Sequence, residues 1–241
     1  MTSSILISQR LKTIAEYVPA DSRVADIGSD HALLASYLLV NHIASFVIAG
    51  ELNEGPYQAA LRQLATLQAA KDRSSVRKGN GLAVLTPGET DVICIAGMGG
   101  QLIASILDAG LDKLGGVSRL ILQPNVGEEV VRRWFIQHGW QLIDETILEE
   151  DGIIYEILVA EPGEPLTPYQ DQDRTPDELL AIGPFLWTKK QPVMRQKWEH
   201  ELEKWEKILT QMEKSDKPET QERKEEIKTQ MNWIKGVLAC L

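Results

Sequence analysis

Short apolar runs alternate with amphipathic stretches between residues 23 and 160, and this alternation restricts the fold more than any other feature. Residues 23–27 (RVADI), 46–51 (FVIAGE), 91–96 (DVICIA) and 119–123 (RLILQ) read as strands covered on both faces. Helical patterns occupy 31–39, 56–70, 101–107 and 128–138. Pro56 suits a first helical turn, where its missing N–H costs nothing. Residues 140–149 and 153–160 read as a late strand pair turning at Asp151-Gly152. Strands that alternate with helices predict an α/β fold with a mostly parallel, doubly wound, Rossmann-like sheet.

The pattern changes after residue 161. Pro162, Pro165, Pro168, Pro176, Pro184 and Pro192 forbid a continuous helix or a central strand, so 162–192 is expected to be a connection with at most a short helix near 177–182. Beyond it, Trp198, Leu202, Trp205, Leu209 and Met212 are spaced by 4, 3, 4 and 3 residues, as are Ile227, Met231, Ile234, Leu238 and Leu241. Both are heptad seams, with SDKPE at 215–219 as a turn between them. The expected organisation is a first domain over 1–161, a connection over 162–192 and an antiparallel helical (coiled-coil) hairpin over 193–241. Two amphipathic helices docked flat on the first domain are the alternative.

Charge narrows the function. The chain has 25 basic and 35 acidic residues, a net of −10, which taken alone argues against a nucleic-acid partner. Residues 195–235 hold ten of each sign, so the surplus belongs to what precedes them. Within that acidic part, Arg62, Lys71, Arg73, Arg77 and Lys78 form a local cluster able to meet phosphate, as do Arg10 and Lys12. The hairpin region adds Lys189, Lys190, Arg195, Lys197, Lys204 and Lys207. Cys94 and Cys240 are too few for a disulfide framework or a zinc site. The four histidines lack ligand spacing, so no metal is expected. No apolar run is long enough to span a bilayer and the N-terminus lacks a signal-peptide pattern, so no membrane partner is expected; the two cysteines suit a reducing cytoplasm, and a monomer is favoured with the oligomeric state left open.

Ligands of open α/β sheets sit beyond the carboxyl ends of the strands. There the chain carries Asp26-Ile27-Gly28-Ser29-Asp30-His31, then Glu51, Gly79-Asn80-Gly81 and Ala96-Gly97-Met98-Gly99-Gly100. Neither a GxGxxG fingerprint nor a GK[ST] phosphate loop is present, so nicotinamide, flavin and nucleoside triphosphate are unsupported. The set D-x-G, E, GNG and AGMGG fits an S-adenosylmethionine pocket. Its glycines make room for the amino acid part, the terminal acid takes ribose hydroxyls, and Asn80 meets the adenine edge.

Taken together, VADIGSDHA (24–32), Gly50-Glu51, GNGL (79–82), IAGMGG (95–100), LQPN (122–125), Glu150-Asp151 and Tyr155-Glu156-Ile157 resemble the bacterial tRNA (adenine-22-N1)-methyltransferase family, TrmK. The resemblance covers residues 5 to 160, and the C-terminal heptads resemble that family's coiled-coil domain. It implies a class-I methyltransferase fold, S-adenosylmethionine as cofactor, tRNA as partner and N1 of an adenine as methyl acceptor. It also implies that Asp26, Gly28, Asp30 and His31 surround the methionine end and that Glu51 holds ribose. Asn80 and Gly81 would then lie at the adenine, and Ala96, Gly97, Met98, Gly99 and Gly100 would line cofactor and target base. The family usually has Asp where this chain has Asn80, which keeps an acceptor oxygen but loses the charge.

Alignment is the main task of such an enzyme, because the sulfonium is already a strong methyl donor. Asp30 is the first candidate to stabilise the charge that develops on the base, and Asn125 to bind the adenine edge. Asp26, Asp30 and Asn125 could instead cap helices, and His31 could bond the backbone. A methyltransferase of another substrate, or a non-catalytic interaction module built on this fold, are the competing functions.

Overall fold

The computed structural model describes residues 5–170, 173–212 and 218–241. It divides into two compact units, one ending at Phe185 and one from Leu186 to Leu241.

The first unit is built on a seven-stranded sheet. In chain order the strands are β1 (Ser22–Ile27), β2 (Ala44–Glu51), β3 (Ser74–Lys78), β4 (Val92–Gly99), β5 (Arg119–Val126), β6 (Trp140–Glu150) and β7 (Ile153–Pro162). They lie side by side as β3-β2-β1-β4-β5-β7-β6. The first five are mutually parallel, and β7 joins them antiparallel through β5 and pairs with β6. This is the expected doubly wound sheet with its late strand pair. Strand β3 was not foreseen: SSVRK holds a single apolar side chain, as an edge strand with one neighbour permits.

Five helices cross the sheet: α1 (Gln9–Glu16), α2 (Leu33–Val40), α3 (Glu54–Ala65), α4 (Gly100–Ala109) and α5 (Glu128–Gln137). Helix α1, also unforeseen, starts where the Ser8 hydroxyl accepts the Leu11 N–H. Side chains alternate across each strand, so Ala25 and Ile27 of β1 join a core with Ile103, Leu107 and Trp134. Val24 joins the opposite core with Ile14, Leu34 and Leu64. Asp26 has the parity of Val24 and is therefore carried into that second, apolar layer.

The proline-dense stretch contains α6 (Pro176–Ile182), opened by a Thr175–Glu178 capping box with Pro176 in its first turn, and α7 (Pro184–Lys189), inside which the two units meet in sequence. A buried ionic cluster holds this stretch to the sheet. Arg132 of α5 is fully enclosed; it donates to Glu145 Oε1 and Glu156 Oε2 at 2.6 Å each and to the Leu180 carbonyl at 3.0 Å. Glu145 Oε2 in turn accepts the Phe185 N–H at 3.0 Å. Gly183, at φ +100°, is needed here, because a Cβ would lie 2.7 Å from Arg132 Nη2.

The second unit contains α8 (Pro192–Met212) and α9 (Pro218–Leu238). Arg195 bonds the Leu238 carbonyl at 3.1 Å, and Trp198 meets Trp233 edge-on at 5.2 Å, so the two helices run in opposite directions. Trp198, Ile227, Met231 and Ile234 of the heptad seams are buried. The expected turn begins outside the described residues, and Pro218 and Glu219 already belong to α9.

Removing one partner from a buried ion cluster strands its counter-charges. Arg132→Met is expected to cost about 3–5 kcal/mol of stability at pH 7, read as a lowered urea midpoint with an unchanged slope.

Candidate functional site

The chain leaves β1 toward β2 on one side and returns to β4 on the other, so the loops after β1 and β4 diverge at a topological switch point. A cleft of about 610 Å³ opens there, within the range of small-molecule sites. Of the expected site residues, Asp26, Gly28, Asp30, Ala96, Gly97, Met98 and Asn125 line it.

Asp26 is 5% exposed, and its Oδ2 has no hydrogen-bond partner among the described residues. Burial, with Glu51 nearby, pushes its carboxyl up to about 7. A buried acceptor without a donor, facing a cleft, is suited to a cationic N–H group of a ligand.

The loop after β1 is held in an unusual shape. Gly28 adopts φ +71°, and a Cβ there would lie 2.2 Å from Met98 Cε, so the methionine occupies the room the glycine leaves. Asp30, His31 and Ala32 follow at φ 31°, 55° and 54°, each in the left-handed region that costs an L-residue about 1–2 kcal/mol. Glu51 at the end of β2 offsets this by accepting the Asp30 N–H at 2.6 Å and the Ser29 hydroxyl at 3.3 Å. Burial raises the Glu51 carboxyl above its usual range. Asp30 and His31 approach each other at 3.4 Å, both largely exposed. The N-cap of α2 is Ala32 and that of α5 is Gly127, neither with a side-chain cap, so Asp30 and Asn125 are free of capping duty.

Other expected residues lie elsewhere. Glu51 and His31 stand behind or beside the cleft rather than on its wall. Asn80 and Gly81 line a smaller hollow of about 220 Å³ with Leu102 and Ile106. Gly99 and Gly100 line neither. Gly100 is required by packing, because a Cβ would lie 2.1 Å from the Gly127 carbonyl oxygen.

Arg10 and Tyr155 line the cleft, with Gln123 fully buried behind it, and sequence reasoning did not single out these three as site residues. Helix α1 presents Arg10 because the Glu150 carboxylate accepts the N–H groups of Gln9 and Arg10 at its first turn, and because the Tyr17 hydroxyl bonds Asp144 and Thr146 at its far end. The Arg10 guanidinium lies 5.2 Å from the Tyr155 ring centre and donates to Gln123 Oε1 at 2.6 Å. The family motifs LQPN (122–125), Glu150-Asp151 and Tyr155-Glu156-Ile157 pointed to this corner, but gave no roles to Gln123 or Tyr155, while Arg10 was expected at phosphate.

Of the expected basic cluster, Arg73 and Arg77 are committed within the fold and Lys78 is ion-paired at the surface. Arg73 bonds the carbonyls of Ala44 and Ser45, Arg77 pairs with Glu89, and Lys78 pairs with Glu54. Arg62 and Lys71 are exposed. Among the described residues no group of His, Cys, Asp and Glu could hold a metal ion, and no helix is long and apolar enough to cross a membrane.

Comparison with known proteins finds relatives that match nearly the whole chain. The model of the TrmK family, tRNA (adenine(22)-N(1))-methyltransferase, matches residues 24–236. The Bacillus subtilis tRNA (adenine(22)-N(1))-methyltransferase is 44% identical over 98% of both chains. The crystal structure of the B. subtilis enzyme superposes with a TM-score of 0.89 at 43% identity, covering 98% of this chain and 100% of that one. A Streptococcus pneumoniae putative tRNA (m1A22) methyltransferase, solved in complex with S-adenosyl-L-methionine, is 41% identical with a TM-score of 0.84, over 97% of this chain and 100% of that one. The chain belongs to the TrmK family of tRNA (adenine(22)-N(1))-methyltransferases.

Proposed function

We propose that this protein transfers a methyl group from S-adenosylmethionine to N1 of adenine 22 of tRNA, in the cytoplasm. The observation that carries the reading is the 44% identity to the B. subtilis enzyme over 98% of both chains. The cofactor is supported by the cofactor complex of the S. pneumoniae relative and by the chemistry of the cleft.

When bound, the cofactor supplies an electrophilic methyl that the N1 lone pair takes while sulfur keeps the bond electrons and positive charge passes to the base. The residues present suit it. Asp26 holds the ammonium of the methionine part with its unpartnered oxygen. Glu51 holds the loop through Asp30 and Ser29 with one carboxylate oxygen, and its other oxygen would be the one to reach ribose hydroxyls from behind the cleft wall. Asn80 meets the adenine edge from its own hollow. Asp30, exposed at the mouth of the cleft, faces the base and favours its developing positive charge. The target N1 lies on the Watson–Crick edge, so the adenine must leave any pair to enter. Arg62 and Lys71 then meet phosphate without reading sequence.

Incubation with labelled S-adenosylmethionine and unmodified tRNA, followed by nucleoside analysis, is expected to give 1-methyladenine at position 22; methylation of a different base or position would refute the assignment. Cofactor affinity is expected to fall as pH drops through about 7, because protonated Asp26 cannot receive an ammonium. Calorimetry should show a slope approaching about tenfold per pH unit below that point, flattened in Asp26→Asn. On folding, the same raised carboxyl acts with the opposite sign. Stability contributed by its neutral form is lost as pH climbs from the ordinary carboxylate range through about 7.

A further inference from the structure

The ladder between β4 and β5 is irregular at two points, skipping Gly97 on β4 and Asn125 on β5. Ala96 pairs with Gln123 and Met98 with Pro124, while Gly97 is skipped and bulges out at φ +76°. Its backbone groups are thereby released from the sheet, and two amide side chains of β5 capture them. The Gly97 N–H donates to Gln123 Oε1 at 3.1 Å, and Asn125 Nδ2 donates to the Gly97 carbonyl at 3.0 Å. Between the two amides, Gln123 Nε2 donates to Asn125 Oδ1 at 3.1 Å and to the Pro124 carbonyl at 2.9 Å.

These contacts leave no freedom of orientation. Gln123 is fully buried, and its oxygen must face the two donors, Arg10 and Gly97 N–H. Its nitrogen must then face Asn125. An amide carries two N–H donors and two acceptor lone pairs. Gln123 uses all four within the protein. Asn125 uses one donor and one lone pair, stands exposed on the cleft wall, and keeps one of each.

A remaining donor and acceptor on one planar amide match the N7 acceptor and N6 amino group of adenine. The alternative edge is ruled out by the reaction: an Asn bound to N6 and N1 would cover the atom that must be methylated. Guanine offers two acceptors, O6 and N7, on the corresponding edge and would leave the Asn125 oxygen facing another oxygen. Accepting that the substrate is an adenine methylated at N1, as proposed above, we infer that Asn125 reads the target base by its Hoogsteen edge. We infer equally that Arg10, Gln123 and the Gly97 bulge form a relay that fixes the amide for this purpose. Gln123 and Arg10 are then positioning residues that touch no substrate.

The test compares unmodified tRNA with tRNA carrying 7-deazaadenine at position 22. That base lacks the N7 acceptor, yet its N1 is the more basic, so a slower reaction reports recognition rather than reactivity. The wild-type protein is expected to lose about tenfold or more in kcat/KM on the deaza substrate. Asn125→Ala changes an exposed side chain and should fold; it is expected to be slower on adenine and to discriminate little between the two tRNAs. Gln123→Glu keeps acceptors for Arg10 and Gly97 but has no N–H for Asn125 Oδ1, and it should lose discrimination in the same way, as should Arg10→Ala. Equal wild-type rates on both tRNAs would overturn the Hoogsteen reading. Undiminished discrimination in a folded Gln123→Glu protein would overturn the relay. Failure of the wild type to methylate the unmodified tRNA at all would count against the proposed function instead.

Discussion

The parallel pairing of β1 with β4 is the constraint on which the site depends. These strands are not neighbours in sequence, and the chain must complete β2, β3 and three crossovers before β4 arrives. Once it does, the Asp26-to-Ala32 loop and the Gly97 bulge face each other across one strand spacing. Gly28 is then needed because Met98 lies against it, and Asp26 is enclosed because its parity sends it into the apolar layer under α2. The same register brings β5 beside β4, so Gln123 and Asn125 reach the Gly97 backbone. One pairing thus places an acid, a thioether and two amides around a single cleft.

Two buried ionic arrangements in this unit are treated in opposite ways. The Arg132 guanidinium is matched by two carboxylates, the Leu180 carbonyl and close packing at Gly183, so its charge is compensated without solvent. Asp26 is also buried but borders the cleft, and one of its oxygens has no partner among the described residues. The first arrangement serves architecture, fastening residues 180–185 to the sheet. The second is a local instability that a cationic ligand relieves, and a protein keeps such a defect where binding is the gain.

The difference between what the sequence displayed and what it concealed is physical. Strands β1, β2, β4 and β5 are covered on both faces and so are written as unbroken apolar runs. Edge strand β3 is not, and SSVRK carries no such pattern. Asp26, Gly28 and Met98 were legible because strand-end loops of this fold hold ligands whatever the detail. Asn125 was legible as a group for the adenine edge, but its tie to Gln123 and Arg10 was hidden, since it runs through a bulge one strand away. The basic cluster misled for the converse reason. Arg73, Arg77 and Lys78 are close in sequence to each other, but each is consumed by a partner brought from elsewhere: Ala44 and Ser45, Glu89, and Glu54. Proximity along the chain says where charges start, and the fold decides which remain available.

Charge in the cleft follows from the same logic. Its wall carries Asp26 and Asp30 against a single cation, Arg10, which is held by Gln123 and the Tyr155 face. A transfer from a sulfonium to adenine N1 begins with positive charge on the cofactor and ends with it on the base, so total charge never changes and only its location does. A wall with a modest negative excess attracts the charged donor and tolerates the cationic product, while its polar groups stay fixed as the charge moves. Arg10 placed freely beside the base would oppose that movement. Tied into the amide relay and laid on an aromatic ring, it contributes hydrogen-bond direction to Gln123 with its charge partly spent on the carbonyl oxygen and the π face. The acidic surplus of the chain thus includes two aspartates placed where positive charge is handled, with phosphate contact left to exposed basic side chains such as Arg62 and Lys71.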